Sequence, residues 1–198
     1  MRLVIDLQGA QACNKNRGIG RYAFSIAQAL VRHRDENDVV IVLNGLFPDT
    51  IEPIRDAFRG LLPSNKVLVW NAPGPLAEMV SANARRRKQA QDLRNIFIAK
   101  LKPDFVLITS LFEGLSDDAV VSVDQITGIP TAVVLFDLIP LLHRNIYLTD
   151  PNVERVYLRQ LEQLKKADLL LSISESSRQE ALTHLGTSPD SVINISSG

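Results

Sequence analysis

Cysteine is nearly missing: the 198-residue chain holds one, Cys13. A single thiol excludes an internal disulfide framework and a cysteine-rich zinc module. An excess of charge is missing too, because 22 Lys+Arg balance 22 Asp+Glu. A general polyanion binder needs basic excess to displace counterions, so nucleic acid is not an expected partner. No apolar run approaches the ~20 residues that cross a bilayer. The start, Met1-Arg2-Leu3-Val4-Ile5-Asp6-Leu7, is too short in apolar residues for a signal peptide, and Asp6 interrupts it. The three histidines, His33, His143 and His184, have no helical metal spacing, so no metal is expected. Internal repeats and low-complexity tracts are absent. The default expectation is a cytoplasmic protein of one domain.

What is present is a regular alternation. Short apolar runs occur at Arg2–Leu7, Val39–Leu43, Val67–Trp70, Phe105–Thr109, Thr131–Phe136, Leu169–Ile173 and Val192–Ile195. Most are dominated by apolar residues and rich in Val, Ile and Leu, the mark of strands covered on both faces of a parallel sheet. Amphipathic stretches separate them. Gly18–His33 carries Ile19, Ala23, Ile26 and Leu30 on one stripe. Asp49-Thr50-Ile51-Glu52 resembles a capping box, with Gly60 as a stop. Asp150-Pro151 starts a helix with Val153, Tyr157, Leu161 and Leu164 at core spacing. Ser174 can cap a helix running to Gly186, with Ser177 and Glu180 as a further capping pair. Residues 110–130 read as a loop with one short element. The expected fold is α/β, a doubly wound, mainly parallel Rossmann-like sheet. Such sheets bind ligands at the carboxyl ends of their strands, which directs attention to the segments following each run.

Gly18-Ile19-Gly20-Arg21-Tyr22-Ala23 formally matches GxGxxA. Ten residues separate it from Leu7, and Asn44 stands where a ribose-binding acid belongs, so a nicotinamide or flavin site is not expected. Glycines at a helix start still let backbone N–H groups approach an anion. Asp137 follows an apolar run directly and opens the apolar loop Leu138-Ile139-Pro140-Leu141-Leu142. A carboxylate there suits proton transfer or sugar-hydroxyl binding; a turn cap is the competing reading. Glu113 has the same placement after another run, and His143 sits beside Arg144 in a cleft-side loop. No GxSxG elbow surrounds the serines near Ser174, which could bind polar ligands. Arg85-Arg86-Arg87-Lys88 is a basic run on a long helix continuing to Leu93, Ile96, Phe97 and Leu101. Such a helix can lie on an anionic membrane, although a solvated face is the commoner meaning.

Three segments together resemble one family. Arg17-Gly18-Ile19-Gly20-Arg21-Tyr22 is similar to the amino-terminal glycine motif of GT-B retaining glycosyltransferases of the group-1 type. Asp137-Leu138-Ile139-Pro140-Leu141 is similar to their "HDLIPL" segment. Ala167-Asp168 through Ser172-Ile173-Ser174-Glu175-Ser176-Ser177-Arg178 is similar to their "AD…VSE.S+" strand and helix. The resemblance implies that residues 1–198 form the amino-terminal, acceptor-side domain, with the nucleotide-sugar domain absent from this chain. It implies a nucleotide-sugar donor as co-substrate, no other cofactor, and a glycan or lipid-linked acceptor in surface polysaccharide or lipopolysaccharide synthesis. The 198 residues alone are then expected to be inactive, and the work to take place in the cytoplasm or at the inner face of the membrane. The resemblance sets Gly18, Gly20 and Arg21 beside the donor diphosphate and Asp137 beside the reacting sugar. Glu113, His143 and Ser174 rest on cleft position as acceptor contacts. Substituting either glycine should then harm turnover more than folding. One departure stands out: Phe136 occupies the position where the family carries histidine. It favours the alternative of a non-catalytic sugar- or partner-binding module.

Overall fold

The computed structural model describes residues 1–123 and 128–196. Residues 124–127 of the expected 110–130 loop, and the final two of the carboxyl-terminal tail, lie outside the described residues. Seven strands form one parallel sheet: β1 (Arg2–Asp6), β2 (Asp38–Asn44), β3 (Val67–Trp70), β4 (Phe105–Ile108), β5 (Thr131–Leu135), β6 (Leu169–Ser172) and β7 (Val192–Asn194). Each coincides with an apolar run read from the sequence, to within a residue or so at either end. The order is β3-β2-β1-β4-β5-β6-β7. The chain therefore winds outward from β1 to β3, crosses back, and winds the other way from β4 to β7. Val4 of β1 lies between Val40 and Val106, and Ile5 between Ile41 and Leu107. Successive side chains point to opposite faces, so Val4 enters one core layer and Ile5 the other.

Helices cover both faces. α1 (Gly18–Arg32) and α2 (Pro48–Phe58) pack Ala23, Ala27, Val31, Ile54 and Phe58 on the layer holding Ile5 and Ile41. On the other face lie α3 (Ala84–Lys100), α6 (Pro151–Leu164) and α7 (Glu175–His184), contributing Ala90, Ile98, Leu161, Leu164 and Ala181. Two single-turn helices, α4 (Ile139–Leu142) and α5 (Arg144–Tyr147), follow β5. The capping residues of α6 and α7 behave as their chemistry dictates. Asp150 accepts from the backbone N–H groups of Asn152 and Val153, and Ser174 accepts from that of Ser177.

Four expectations need correction. α2 begins at Pro48 after Phe47, without a side-chain cap, so Asp49 is no N-cap; Thr50 instead donates its hydroxyl to the Phe47 carbonyl at 2.7 Å. Ser177 and Glu180 form no capping pair. The Ser177 hydroxyl donates to the Phe136 carbonyl at 2.5 Å, and Glu180 accepts from the Leu138 N–H at 2.9 Å. The link from β4 to β5 contains no helix or strand among its described residues. Its described residues are nonetheless largely buried, supplying Leu111, Val120, Val121 and Val123 to the core in place of a crossover helix. Finally, the basic run is not one surface. Four consecutive residues turn through 100° each, and the inward stripe of α3 is Arg87, Ala90, Arg94 and Ile98. Arg85 and Lys88 are exposed, whereas Arg87 is buried.

Candidate functional site

The winding reverses between β1 and β4, and the crevice outside the carboxyl ends of strands at such a point is where doubly wound sheets bind ligands. Here it is floored by a buried polar network. Asp6, the last residue of β1, faces Arg94 of α3. The Arg94 Nε donates to the Asp6 Oδ2 at 2.6 Å, and its Nη2 lies 2.6 Å from the same oxygen as a charge contact rather than an aligned hydrogen bond. Gln8 donates to the Asp6 carboxylate and to the Val120 carbonyl at 2.9 Å. Its oxygen accepts from Asn44 and from the Val120 N–H, both at 3.0 Å. Gln11 donates to Thr50 at 2.8 Å and accepts from the Asn44 N–H at 2.7 Å. The segments after β1, β2 and β4 are thus tied through side chains that are all buried. Sequence reading noticed Asp6 and Asn44 only as irregularities and missed Gln8, Gln11 and Arg94.

Above this floor stands the glycine motif. α1 is preceded by Arg17, whose guanidinium cannot accept a hydrogen bond, and no side chain caps the helix. The two glycines differ. A Cβ at Gly18 would meet nothing within 4 Å, so the helix start is open there. A Cβ at Gly20 would lie 2.4 Å from the Lys15 Cα and 2.5 Å from its carbonyl oxygen. Gly20 is therefore demanded by the close approach of α1 to the preceding turn, and the expectation that its substitution spares folding is corrected. Gly20 and the exposed Arg21 line a cavity of about 350 Å³ with Lys15, Asn16, Phe24 and Asp49. Lys15 and Arg21 give it a cationic rim suited to phosphate oxygens.

Glu113 is 3% exposed. It accepts from the Ser110 hydroxyl at 2.8 Å and from the Asn14 amide at 3.2 Å. Burial pushes its pKa up to about 7, against which the Ser110 and Asn14 hydrogen bonds act only partly. It is a carboxyl able to give or take a proton near neutrality. Cys13, Glu113 and Asp117 bring ligand atoms within 4.8 Å of one another. Asp117 is already engaged by the Cys13 and Ala119 N–H groups, at 2.7 and 3.0 Å. Burial, then Asp117, pushes the Cys13 thiol up, away from the thiolate that a metal prefers.

Asp137 and Ser174 lie along the same edge, joined to the glycine helix through Phe136. The Phe136 ring packs edge-to-face on Tyr22 of α1, with centroids 5.5 Å apart. Its carbonyl is held by Ser177, next to the Ser174 cap. Asp137 is exposed; its Oδ1 accepts from the Ile139 N–H at 3.0 Å, leaving Oδ2 for a ligand. His143 is exposed between α4 and α5, and its imidazole makes no hydrogen bond to another described residue. The structure thus connects Gly18, Gly20, Arg21, Asp137 and Ser174 along one edge, sets Glu113 deeper behind Asn14, and places His143 at the end of the turn that Asp137 opens.

No protein-family model matches the chain. Three Escherichia coli proteins named serotype-specific mannosyltransferase WbdA are similar to it. One is 38% identical over 200 residues, covering the whole chain; two others are 37% and 35% identical over 175 residues, covering 87% of it. The chain spans 24% of the first of these relatives and 21% of the others. Two solved structures share the fold. Arabidopsis thaliana UGT89C1 complexed with UDP superposes with a TM-score of 0.56 at 12% identity, over 99% of this chain and 48% of that one. A proposed UDP-N-acetylglucosamine 2-epimerase from Listeria monocytogenes gives 0.53 at 13%, over 96% and 43%. The relatives bear out the resemblance to glycosyltransferases, and the two solved structures bear out the Rossmann-like architecture.

Proposed function

We propose that this glycosyltransferase-type domain is the acceptor-side, amino-terminal half of an enzyme that moves mannose, with retention, from a nucleotide donor to a glycan or lipid-linked acceptor in surface polysaccharide synthesis. The observation that carries the reading is the 38% identity to a mannosyltransferase over all of this chain. The site supports it. The uncapped start of α1 at Gly18 offers backbone N–H groups and a positive dipole end to a diphosphate. Arg21 and Lys15 supply charge at the rim. Asp137 is positioned to accept a hydrogen bond from a sugar hydroxyl and to stabilise developing positive charge at the reacting carbon. Glu113, with its raised pKa, can relay the acceptor's proton. A second domain supplies the rest of the donor contacts, and closure over the crevice excludes water. The nucleotide sugar is the co-substrate and no metal takes part. The work takes place on the cytoplasmic side, where Arg85 and Lys88, with Ile96 further along α3, can meet an anionic membrane surface.

The test is transfer from nucleotide-activated mannose by the protein carrying both domains, with the anomeric configuration of the product read by NMR. Mannose transferred with the donor's configuration supports the proposal. An inverted product removes the retaining mechanism. Phe136 favours a second reading, a module that binds saccharide without transferring it, because its apolar ring fills a position that is histidine in the family. Saccharide binding with no transfer from any nucleotide sugar would favour that reading.

A further inference from the structure

A second cavity, about 370 Å³, opens between the amino-terminal turns of α3 and α6 on the helix face away from α1. One wall is α3 with Ala84, Arg87, Lys88 and Gln91; the other is α6 with Asn152, Arg155 and Arg159. These are helix stripes at spacings of three and four, so both helices turn the same faces to the cavity. Four cations line it against one acid, Glu78, which is buried. The Glu78 carboxylate is shared three ways. Its Oε2 lies 3.2 Å from the Arg87 Nε and 2.5 Å from the Arg159 Nη2, and its Oε1 is 3.9 Å from the Arg155 Nη1. Arg87 has a structural duty, donating to the Leu76, Gly114 and Ala119 carbonyls at 3.0, 3.3 and 2.9 Å. Lys88 has a partner outside the lining, Asp92. Discounting Lys88, three guanidinium groups face one carboxylate, a local excess of two positive charges.

Asp117 and Asp118 also act on Arg87 from outside the cavity, so the unspent part of the excess lies on Arg155 and Arg159. Arg155 makes no hydrogen bond to another described residue, and its side chain is 58% exposed. Arg159 holds Glu78 with one nitrogen and keeps 45% of its side chain exposed. The start of α6 adds nothing to this, because the Asp150 carboxylate already caps its Asn152 and Val153 N–H groups. Planar guanidinium forks match phosphate oxygens two at a time. A neutral sugar would need no such excess.

We infer that the cavity between α3 and α6 is a binding site for a phosphorylated ligand, a phosphate monoester or diphosphate carrying two negative charges, gripped by Arg155 and Arg159. It is separate from the crevice at the glycine motif and does not rest on the glycosyl-transfer reading. The chemistry has two sources: a diphosphate group on an acceptor, or a free anion acting as an effector.

Calorimetric titration of the protein with inorganic diphosphate at low ionic strength tests it, with amide shifts in NMR reporting the location. The expected result is saturable binding that shifts Ser81–Gln91 and Asn152–Arg159. Arg155→Gln should weaken it about tenfold or more, the loss of one charge-assisted contact. Because Arg155 holds no structural hydrogen bond, this variant should melt like the wild type. Arg159→Gln should weaken binding as well. No binding at millimolar diphosphate, shifts confined to Lys15–Arg21, or an unchanged affinity in Arg155→Gln would overturn the inference. Geranyl diphosphate separates the sources: tighter binding than inorganic diphosphate marks an acceptor group, equal or weaker binding marks a free anion, and either supports the site.

Discussion

The carboxyl edge of the sheet has two halves that hold their polar groups in opposite ways. Around β1 and β4, Asp6, Gln8, Gln11, Asn44 and Arg94 are buried and hydrogen-bonded to one another and to neighbouring groups, with the Arg94 Nη2 left to a charge contact. Beyond β5, Asp137, His143 and Arg144 are exposed, and their segment is held mainly by backbone turns and the Glu180 carboxylate. The first half behaves as a rigid anvil, since a buried network half satisfied is costlier than none. The second can adjust to a ligand, because exposed single-turn helices have little tertiary packing to lose. A two-substrate crevice gains from this asymmetry. One wall fixes geometry while the other follows the acceptor.

Removing one member of the anvil should have the largest effect. Arg94→Met leaves Asp6 buried without its counter-charge, and should cost about 3–5 kcal/mol in a denaturant titration. A loss below about 1 kcal/mol would show that the network is not the rigid element. Glu113 should show itself through pH. Its folded pKa of about 7 stands above the reference of 4.5, so the folded state keeps its proton longer than the unfolded chain. Stability is then greatest below that reference value and falls as pH rises through 7, by up to about 3 kcal/mol. Glu113→Gln should flatten this dependence and be more stable than wild type at pH 8. Equal slopes for the two proteins would contradict the assignment. The glycines sharpen the contrast further. Gly20→Val should destabilise by about 1–3 kcal/mol, because the side chain meets Lys15 backbone. Gly18→Ala should stay within about 0.5 kcal/mol in thermal melts.

Much of the fold was legible. Runs such as Val39–Leu43 and Leu169–Leu171 are apolar at every position because both sheet faces are covered, and that pattern needs no partner to be recognised. Asp150-Pro151 and Ser174 announced helix starts by local chemistry, and the structure agrees. The anvil was not legible. Arg94 meets Asp6 across 88 residues and Gln8 meets Val120 across 112, so no local spacing signals the pairing. Arg87 was read with its basic neighbours because sequence order hides which way each side chain of a helix points. The 110–130 segment reads as a loop with one short element because its apolar residues follow neither a 2.0 nor a 3.6 period, yet its described residues bring Leu111, Val120, Val121 and Val123 to the core. Of the candidate site, the position of Gly18, Arg21, Asp137 and Ser174 after strand ends is legible, since the strand order along the chain fixes that edge. The division of labour between Gly18 and Gly20 needed coordinates.

The most direct test of the crevice as a mannose-transfer site is Asp137→Asn in the protein carrying both domains, with kcat and thermal melting measured together. The amide oxygen can still accept from the Ile139 N–H, so the turn survives while the charge is lost. A rate reduced about 10²-fold or more at an unchanged melting temperature is the predicted result. Wild-type turnover, with or without a lowered melting temperature, would reduce Asp137 to a turn cap and contradict the placement of the reacting sugar.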